Sequence, residues 1–387
     1  MNERVGIVAV CQTPYEGRED RYTNVELTFQ TVERVLEETG LTWNKDGTGI
    51  DVTVSCNEEF LDGQLIANGP IEAVAGGHFR PAARVDNDGT FGLYLAVADI
   101  LCGHYGVALL TSACKESELN QSSAQNFGFE PIFLQPIGLD NLQAAAMQQL
   151  WYMNKYGISR EQCASVVVKN RGNGLKNPYV RFGAKVQLED VLNSKMMAYP
   201  ISAQEIKPLC DGACTLILAT EEKARKLTPR PVWVTGIGSA YDRHSPGERD
   251  LSVSLALEEA AKRAYEMAGI DDPRKELDLV ELSEFYAYQE LLWSEGLGLC
   301  QRGEGGKLID SGATQASGEI PINPSGGLLS GNPEEVAGLA RIVEGVLQLR
   351  GEAGDRQIDG KVHRVLAHGT DGPCGQHHCV VILENGF

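Results

Sequence analysis

The same local pattern is written near both ends of this chain: a β-run, then a helical stretch closed by glycine, then a second β-run. Arg4–Val10 is rich in β-formers. Val25–Glu38 carries apolar residues at helical spacing (Val25, Phe29, Val32, Val35, Leu36), closes at Gly40, and precedes the β-type run Ile50–Val54. Val232–Ile237 opens the second copy. Its helical stretch, Leu251–Met267, closes at Gly269 and leads to Leu277–Leu282. The matching ends, ETGL and MAGI, put glycine where a helix finishes on a left-handed residue. The later parts of the copies also correspond. Thr90–Cys102 reads as a helix stopped at Gly103 before Val107–Thr111, and Pro333–Leu349 reads as a helix before Val362–His368. A duplicated α/β architecture follows, with one half over residues 1–230 and the other over 231–387.

Between the copies lies a segment of about 114–203 with helical stretches at Leu142–Tyr156 and Ser159–Val168. The loop-like run RGNGLKNP follows. It reads as an insertion packed over the first half, which then ends with a strand at Ala213–Ala219 and a basic helix through Lys226. A chain of 387 residues exceeds the usual size of one core, as two halves require. The net charge of −19 argues against a nucleic-acid binder. No apolar window is long enough for a membrane span, and the N-terminal apolar run is too short for a signal peptide. Ten irregularly spaced cysteines suit reduced thiols in a cytoplasmic protein.

Three stretches carry a family likeness: CDGACTLILATEEKARKL (Cys210–Leu227), VELSEFYAYQELLWSEGLGL (Val280–Leu299) and INPSGGLLSGNPEEVAGLARIVEGVLQLRG (Ile322–Gly351). They resemble thiolases, particularly the sterol-carrier-protein type and its degradative relatives. The resemblance implies the thiolase fold, a duplicated five-layer αβαβα architecture with an inserted loop domain, acting on acyl-coenzyme A thioesters.

The catalytic positions depart from that family. Asp86 stands where the nucleophilic Cys is expected, at the start of the buried helix of the first copy. Helix capping by Asp86 and Asp88 competes there with a role in proton transfer. Ser283 replaces the usual His or Asn of the oxyanion site. Asn332 replaces the His of GHP; it can hydrogen-bond but cannot act as a general base. The last loop, LAHGTDGPCGQHHCVVILENG, is rich instead: His368 aligns with a family histidine, and Cys374 lies near the second catalytic Cys. His378 joins them, since His and Cys together suit acyl transfer. Tyr286 or Tyr288 could supply a phenolic acid, set against simple packing. Cys374, His377, His378 and Cys379 include zinc-type ligands, but their spacing fits no closed site, and no metal is expected.

Lys169, Arg171, Lys176, Arg181 and Lys185 form a basic island without an acidic residue, suited to coenzyme A phosphates. Ser325 and Gly326 in NPSGG bring backbone close to the ligand. The expected reaction is thiolysis of a 3-oxoacyl thioester by free coenzyme A, with Cys374, or else Cys114 or Cys379, as nucleophile. Benzoylsuccinyl-coenzyme A thiolases of anaerobic aromatic degradation are a similar group. Retro-aldol cleavage of a 3-hydroxyacyl thioester is the alternative, as in Cys-lacking relatives of steroid side-chain breakdown; a non-catalytic scaffold is the third. No permanently bound cofactor is expected. The resemblance also implies a homodimer joined by a small zinc-ribbon/OB-fold partner.

Overall fold

The computed structural model describes residues 4–43, 49–63 and 66–386. The first half runs β1 (Val5–Gln12), α1 (Asn24–Thr39), β2 (Val52–Cys56), β3 (Ala82–Val85), α2 (Gly89–Leu101) and β4 (Val107–Lys115). An insertion carrying α3 (Asn141–Tyr156) and α4 (Arg160–Gly174) follows, and β5 (Asp211–Thr220) closes the half. The second half runs β6 (Val232–Tyr241), α5 (Leu255–Ala268), β7 (Leu279–Glu281), α6 (Ala287–Gly296), α7 (Ala337–Arg350), β8 (Arg364–Asp371) and β9 (His377–Asn385). Local chemistry explains the ends. Thr23 and Glu26 form a capping box on α1, and Gly40 and Gly269 close α1 and α5 in the left-handed conformation.

The strands form one sheet in the order β3-β2-β4-β5-β1-β6-β9-β8-β7. Outward from its middle, each half repeats the same pairings. β1–β5 and β5–β4 are antiparallel, and β4–β2 and β2–β3 are parallel. On the other side β6–β9 and β9–β8 are antiparallel, and β8–β7 is parallel. A parallel bridge from Val280 to Ile322 stands in the fifth position. β1 and β6 join the halves through Val5–Val234 and its neighbours.

Side-chain alternation along the strands then sorts the layers. Val54, Leu110 and Leu216 turn inward, with Val365 and Val381, onto α2 and α7. Leu109 and Ile217 turn outward onto α1, while Leu366, Val380 and Ile382 turn onto α5 and α6. The five-layer αβαβα thiolase fold follows. α7 is buried along nearly its whole length, as expected of a helix lying between two sheet faces. Among the described residues no helix is long and apolar enough to cross a membrane.

Several boundaries differ from the sequence expectation. Cys114 belongs to β4, so the insertion begins after Lys115. RGNG is not loop but the last turn of α4, where Asn170 is held by Glu284 and Glu290 and Gly174 packs on Ser330 and Gly183. Tertiary contacts override the weak helix propensity of Gly and Asn there. α7 starts at Ala337 rather than Pro333, because Asn332–Val336 cross beside the N-terminus of α2 before the helix begins.

The inner helices touch at Gly338, where a Cβ would lie 2.1 Å from Asp88 Oδ1 and 2.6 Å from Thr90 Cγ2. Gly338→Ala should therefore destabilise the protein by about 1–3 kcal/mol through overpacking. Gly172→Ala, in α4 with open space around it, should be neutral or stabilising by up to about 1 kcal/mol. Denaturant titration of both variants measures the contrast.

Candidate active site

The motif regions converge at the N-termini of the two inner helices. Asp88 caps α2, its Oδ1 accepting from Thr90 N at 2.9 Å and Thr90 Oγ1 at 2.6 Å. Its Oδ2 accepts from Gly338 N at 2.7 Å, and Gly89 N donates to Glu335 O at 3.1 Å. One carboxylate thus joins the starts of both helices, and burial still pushes it up to about 6. Asp86 does not cap. Its side chain is half exposed, 4.0 Å from Arg84, and burial nudges its carboxyl upward. Next to it, Asn87 Nδ2 lies 3.0 Å from His377 Nδ1, tying the turn to the β8–β9 hairpin.

Asn332 is 1% exposed and its Oδ1 accepts from Arg341 Nη2. A guanidinium only donates, so this contact fixes which way the amide points. Nδ2 is then the end of the amide that Arg341 does not engage, and it is able to donate. Arg341 Nη1 bonds Glu281 Oε2 at 2.6 Å and Ser325 Oγ at 2.7 Å, and Ser325 Oγ and N both donate to Glu281. Ser325 and Gly326 therefore lie inside this network: Ser325 is 2% exposed, and a Cβ on Gly326 would meet Ser330 and Gly174. They shape the turn from beneath.

The groups that sequence reasoning passed over are the two carboxylates after Pro333. Glu334 N donates to Glu116 Oε1 at 2.9 Å, but its Oε2 is buried without a partner. Burial raises its pKa to about 8; Lys207 opposes the rise, and Glu116, Asp371 and Asp88 add to it. Lys207 cannot neutralise it fully, being paired with Glu116. Glu334 is also the charged group acting most strongly on the buried Tyr286 phenol, which burial pushes well up. Glu335 accepts from Glu58 N at 2.8 Å. Burial, then Asp371, Glu335, Glu334 and Asp86, hold Glu58 well above the carboxylate range. The signal was in the motif: GNPEE puts an acid, Glu335, where the resembling motif has a small residue, and a second acid, Glu334, at the variable position before it.

The Cys/His loop is organised differently from expectation. Ser283 N donates to His368 Nδ1 at 3.4 Å, so the His368 proton sits on Nε2 and is given to His378 Nδ1 at 2.9 Å. His378 Nε2 then meets Ser254 Oγ at 2.9 Å. All four ring nitrogens are engaged. Burial lowers His368 to about 3 and His378 well below its ordinary value, so both stay neutral. Ser283 Oγ donates to His368 O at 3.0 Å, which turns it to the backbone rather than toward a substrate. Cys374 sits among Phe129, Ala144 and Leu251, and burial pushes its thiol up to about 12, with only Arg249 opposing. Tyr288 OH is engaged with Gln148 at 2.7 Å. Burial raises Cys114 and Cys379 as well. Among the described residues no cluster of His, Cys, Asp or Glu has metal-holding geometry.

The basic island divides. Lys169 is 4% exposed, 3.0 Å from Glu290 and 2.7 Å from the Ile322 carbonyl, so it has no face for a phosphate. Arg171 is half-buried against Gln204, and Arg181 pairs with Glu16 at 2.9 Å. Lys176 and Lys185 are exposed.

Residues 238–385 match the family model described as thiolase C-terminal domain-like. The chain is 39% identical over 222 residues to the acetyl-CoA acetyltransferase of Methanothermobacter thermautotrophicus, a match covering 56% of each protein. To the benzoylsuccinyl-CoA thiolase subunit BbsB of Thauera aromatica it is 30% identical over 289 residues, covering 74% of each. Among solved structures, the Ltp2-ChsH2(DUF35) aldolase superposes with a TM-score of 0.83 at 22% identity, covering 98% of this chain and 97% of that one. The human mitochondrial 3-ketoacyl-CoA thiolase gives 0.72 at 17%, covering 100% and 99%.

The raised Glu334 pKa has a signed consequence. Its unfolded carboxyl ionises near 4.5, whereas the folded one keeps its proton to about 8. The stability tied to that proton is complete below 4.5 and is lost as pH rises towards 8, at roughly 1.4 kcal/mol per pH unit. Glu284, also raised to about 8 by burial, acts in the same direction. Glu334→Gln should reduce the slope by one proton in denaturant titrations between pH 5 and 8; identical slopes would reject the assignment.

Proposed function

The chain belongs to the thiolase family as an atypical member, and from that premise we propose that it cleaves a carbon–carbon bond in a 3-hydroxyacyl-coenzyme A by acid/base chemistry. The observation that carries this reading is Glu334: a buried carboxyl with an unpartnered oxygen, poised at about 8, beside the motif that normally holds the catalytic histidine. A general base works best with a pKa near the working pH. Thiolysis through Cys374 would need a thiolate, and that thiol is buried and raised to about 12 despite the opposing charge of Arg249.

In this scheme the ionised Glu334 takes the proton of the 3-hydroxyl. The bond between the second and third carbons breaks, a carbonyl forms at the third, and the electron pair moves into the thioester as an enolate. Asn332 Nδ2, held by Arg341, donates to the enolate oxygen as a preorganised oxyanion donor. Glu334 returns its proton to the second carbon. The products are a ketone or aldehyde and a shortened acyl-coenzyme A; the balance needs no free coenzyme A, oxidant or resident cofactor. Tyr286 is in reach of the same electrostatic environment as a second proton donor. Lys176 and Lys185, with Arg181, are the proposed contacts for the phosphates.

The test is incubation of the protein, with any copurifying partner, with matched 3-hydroxyacyl and 3-oxoacyl thioesters, with and without free coenzyme A. Cleavage of the hydroxy substrate alone is expected, with a rate that rises with pH to a plateau above about 8. Glu334→Gln should lower kcat by a factor of about 10² or more, and Cys374→Ala should leave cleavage in place. The names of the acyltransferase and thiolase relatives favour thiolysis as the second reading. A coenzyme A-dependent reaction with a covalent acyl-cysteine adduct would establish it instead.

We also propose a homodimeric core joined by a small zinc-ribbon/OB-fold subunit. One relative is named as a subunit and one structural neighbour is a two-component aldolase. The exposed Phe127, Ile132, Phe133 and Ile137 on the insertion offer apolar surface for a partner. Light scattering of the protein purified from its native host should give a mass above that of a homodimer; a lone homodimer rejects the partner.

A further inference from the structure

The turn after β2 buries polar groups that the proposed cleavage does not use. Asn57 is 1% exposed, yet among the described residues neither its Nδ2 nor its Oδ1 has a hydrogen-bond partner. It lies beside Asp62 and opposes the rise that burial gives that carboxyl's pKa. Asp62 Oδ1 accepts from Asn24 Nδ2 at 2.9 Å, while Asp62 Oδ2 and Asn24 Oδ1 are unpartnered. Glu335, fully buried, leaves Oε2 unpartnered, and Asp62 is the charge that acts on it most strongly. Ser112 Oγ, at the end of β4 opposite Cys56, is buried without a partner too. Unsatisfied groups of this kind cost about 1–3 kcal/mol each, so several in one place mark a site that something else completes.

The chemistry of that ligand can be read from its surroundings. Asp371, Glu335, Glu334 and Asp86 all act on Glu58 here. The nearby cations are engaged, Lys207 with Glu116 and Arg84 with Glu59. A ligand carboxylate would be buried with the nearby cations already paired, so its lost hydration would go uncompensated. A plain alkyl chain would leave the Asn57 amide and the Ser112 hydroxyl unpaired. A hydroxyl or a ketone satisfies both demands, because the amide offers a donor and an acceptor and neutral carboxyls donate.

We infer that the turn Asn57–Asp62, with Glu335 and Ser112, is a specificity pocket for an uncharged acyl portion bearing a hydroxyl or ketone away from the reacting carbon, and that it excludes acyl groups carrying a second carboxylate. This assignment rests on the cleavage proposed above, and it names that reaction's substrate class.

The test uses three 3-hydroxyacyl thioesters of one chain length, ending in methyl, hydroxyl or carboxylate. Their Kd values are measured by calorimetry on the whole protein with any copurifying partner, and cleavage is followed in parallel. The hydroxyl-ended thioester should bind about tenfold tighter than the methyl-ended one, and the carboxylate-ended one about tenfold weaker than the methyl. Asn57→Leu should level the hydroxyl and methyl forms. Asn57→Ala, which only removes atoms, serves if the leucine variant does not fold. Equal Kd values, no measurable binding of any of the three, or an unchanged ranking in the Asn57 variants would overturn the pocket. Ranked binding without cleavage defeats the acid/base reaction alone, whereas cleavage with flat binding defeats this pocket alone.

Discussion

Arg341 and Glu281 are an ion pair from which water is almost completely excluded, on a helix that lies between two sheet faces. Further hydrogen bonds to its remaining donors and acceptors help such a pair to persist, and breaking it by removing one partner costs about 3–5 kcal/mol. Here Ser325 meets Nη1 and Asn332 meets Nη2 of Arg341, while Nε has no partner among the described residues. The turn that begins NPSGG and the loop that begins GNP are thereby fastened to α7 from below. The next layer of the same seam binds the insertion. Glu284 accepts from Asn170 and Asn323, and Lys169 pairs with Glu290. Gly327 is needed because a Cβ there would lie 2.0 Å from Glu284 Oε1. The insertion, the NPSGG turn and the inner helix are thus one polar unit, and Asn332 inherits its orientation from it.

Much of the architecture was legible in sequence because its signals are local. Gly40 and Gly269 end helices by their own backbone freedom, and the runs around Val54, Leu110 and Leu366 are short and near-continuously apolar, as strands covered on both faces should be. What was not legible depends on neighbours distant in the chain. RGNG reads as a loop until Glu284 and Glu290 supply partners for Asn170. Lys169 reads as one of five similar cations until Glu290 claims it. The family motif directed attention to the histidine lost at Asn332, while the carboxyls gained at Glu334 and Glu335 passed as helix-start residues. Only their burial distinguishes them from an ordinary acidic first turn.

The Cys/His loop illustrates the same limit from the other side. Its composition suits acyl transfer, but composition does not say which faces a strand turns inward. β9 sends His378 into the core, where it closes a chain from Ser283 through His368 to Ser254, and sends His377 to the Asn87 side. The paired imidazoles pack against Trp293, with ring centroids 4.9 Å and 6.4 Å away. Their hydrogen bonds order the hairpin end, and Cys374 follows in a left-handed turn (φ 56°) in the apolar lining.

One physical effect accounts for the exchange of reactive groups across this centre. Burial disfavours whichever form of a side chain carries charge. For Cys374 that means losing the thiolate that a nucleophile needs, and for His368 and His378 losing the imidazolium that could donate a proton or stabilise a thiolate near neutral pH. For a carboxyl the same push runs the opposite way in usefulness. It lifts Asp88 to about 6 and Glu334 to about 8, into the range where a proton can be both taken and returned. A thiolase frame whose centre has become this dry therefore favours carboxylic acids over cysteine and histidine. In the proposed acid/base reaction, the substitutions at Asp86 and Asn332 belong with the two glutamates that follow Pro333.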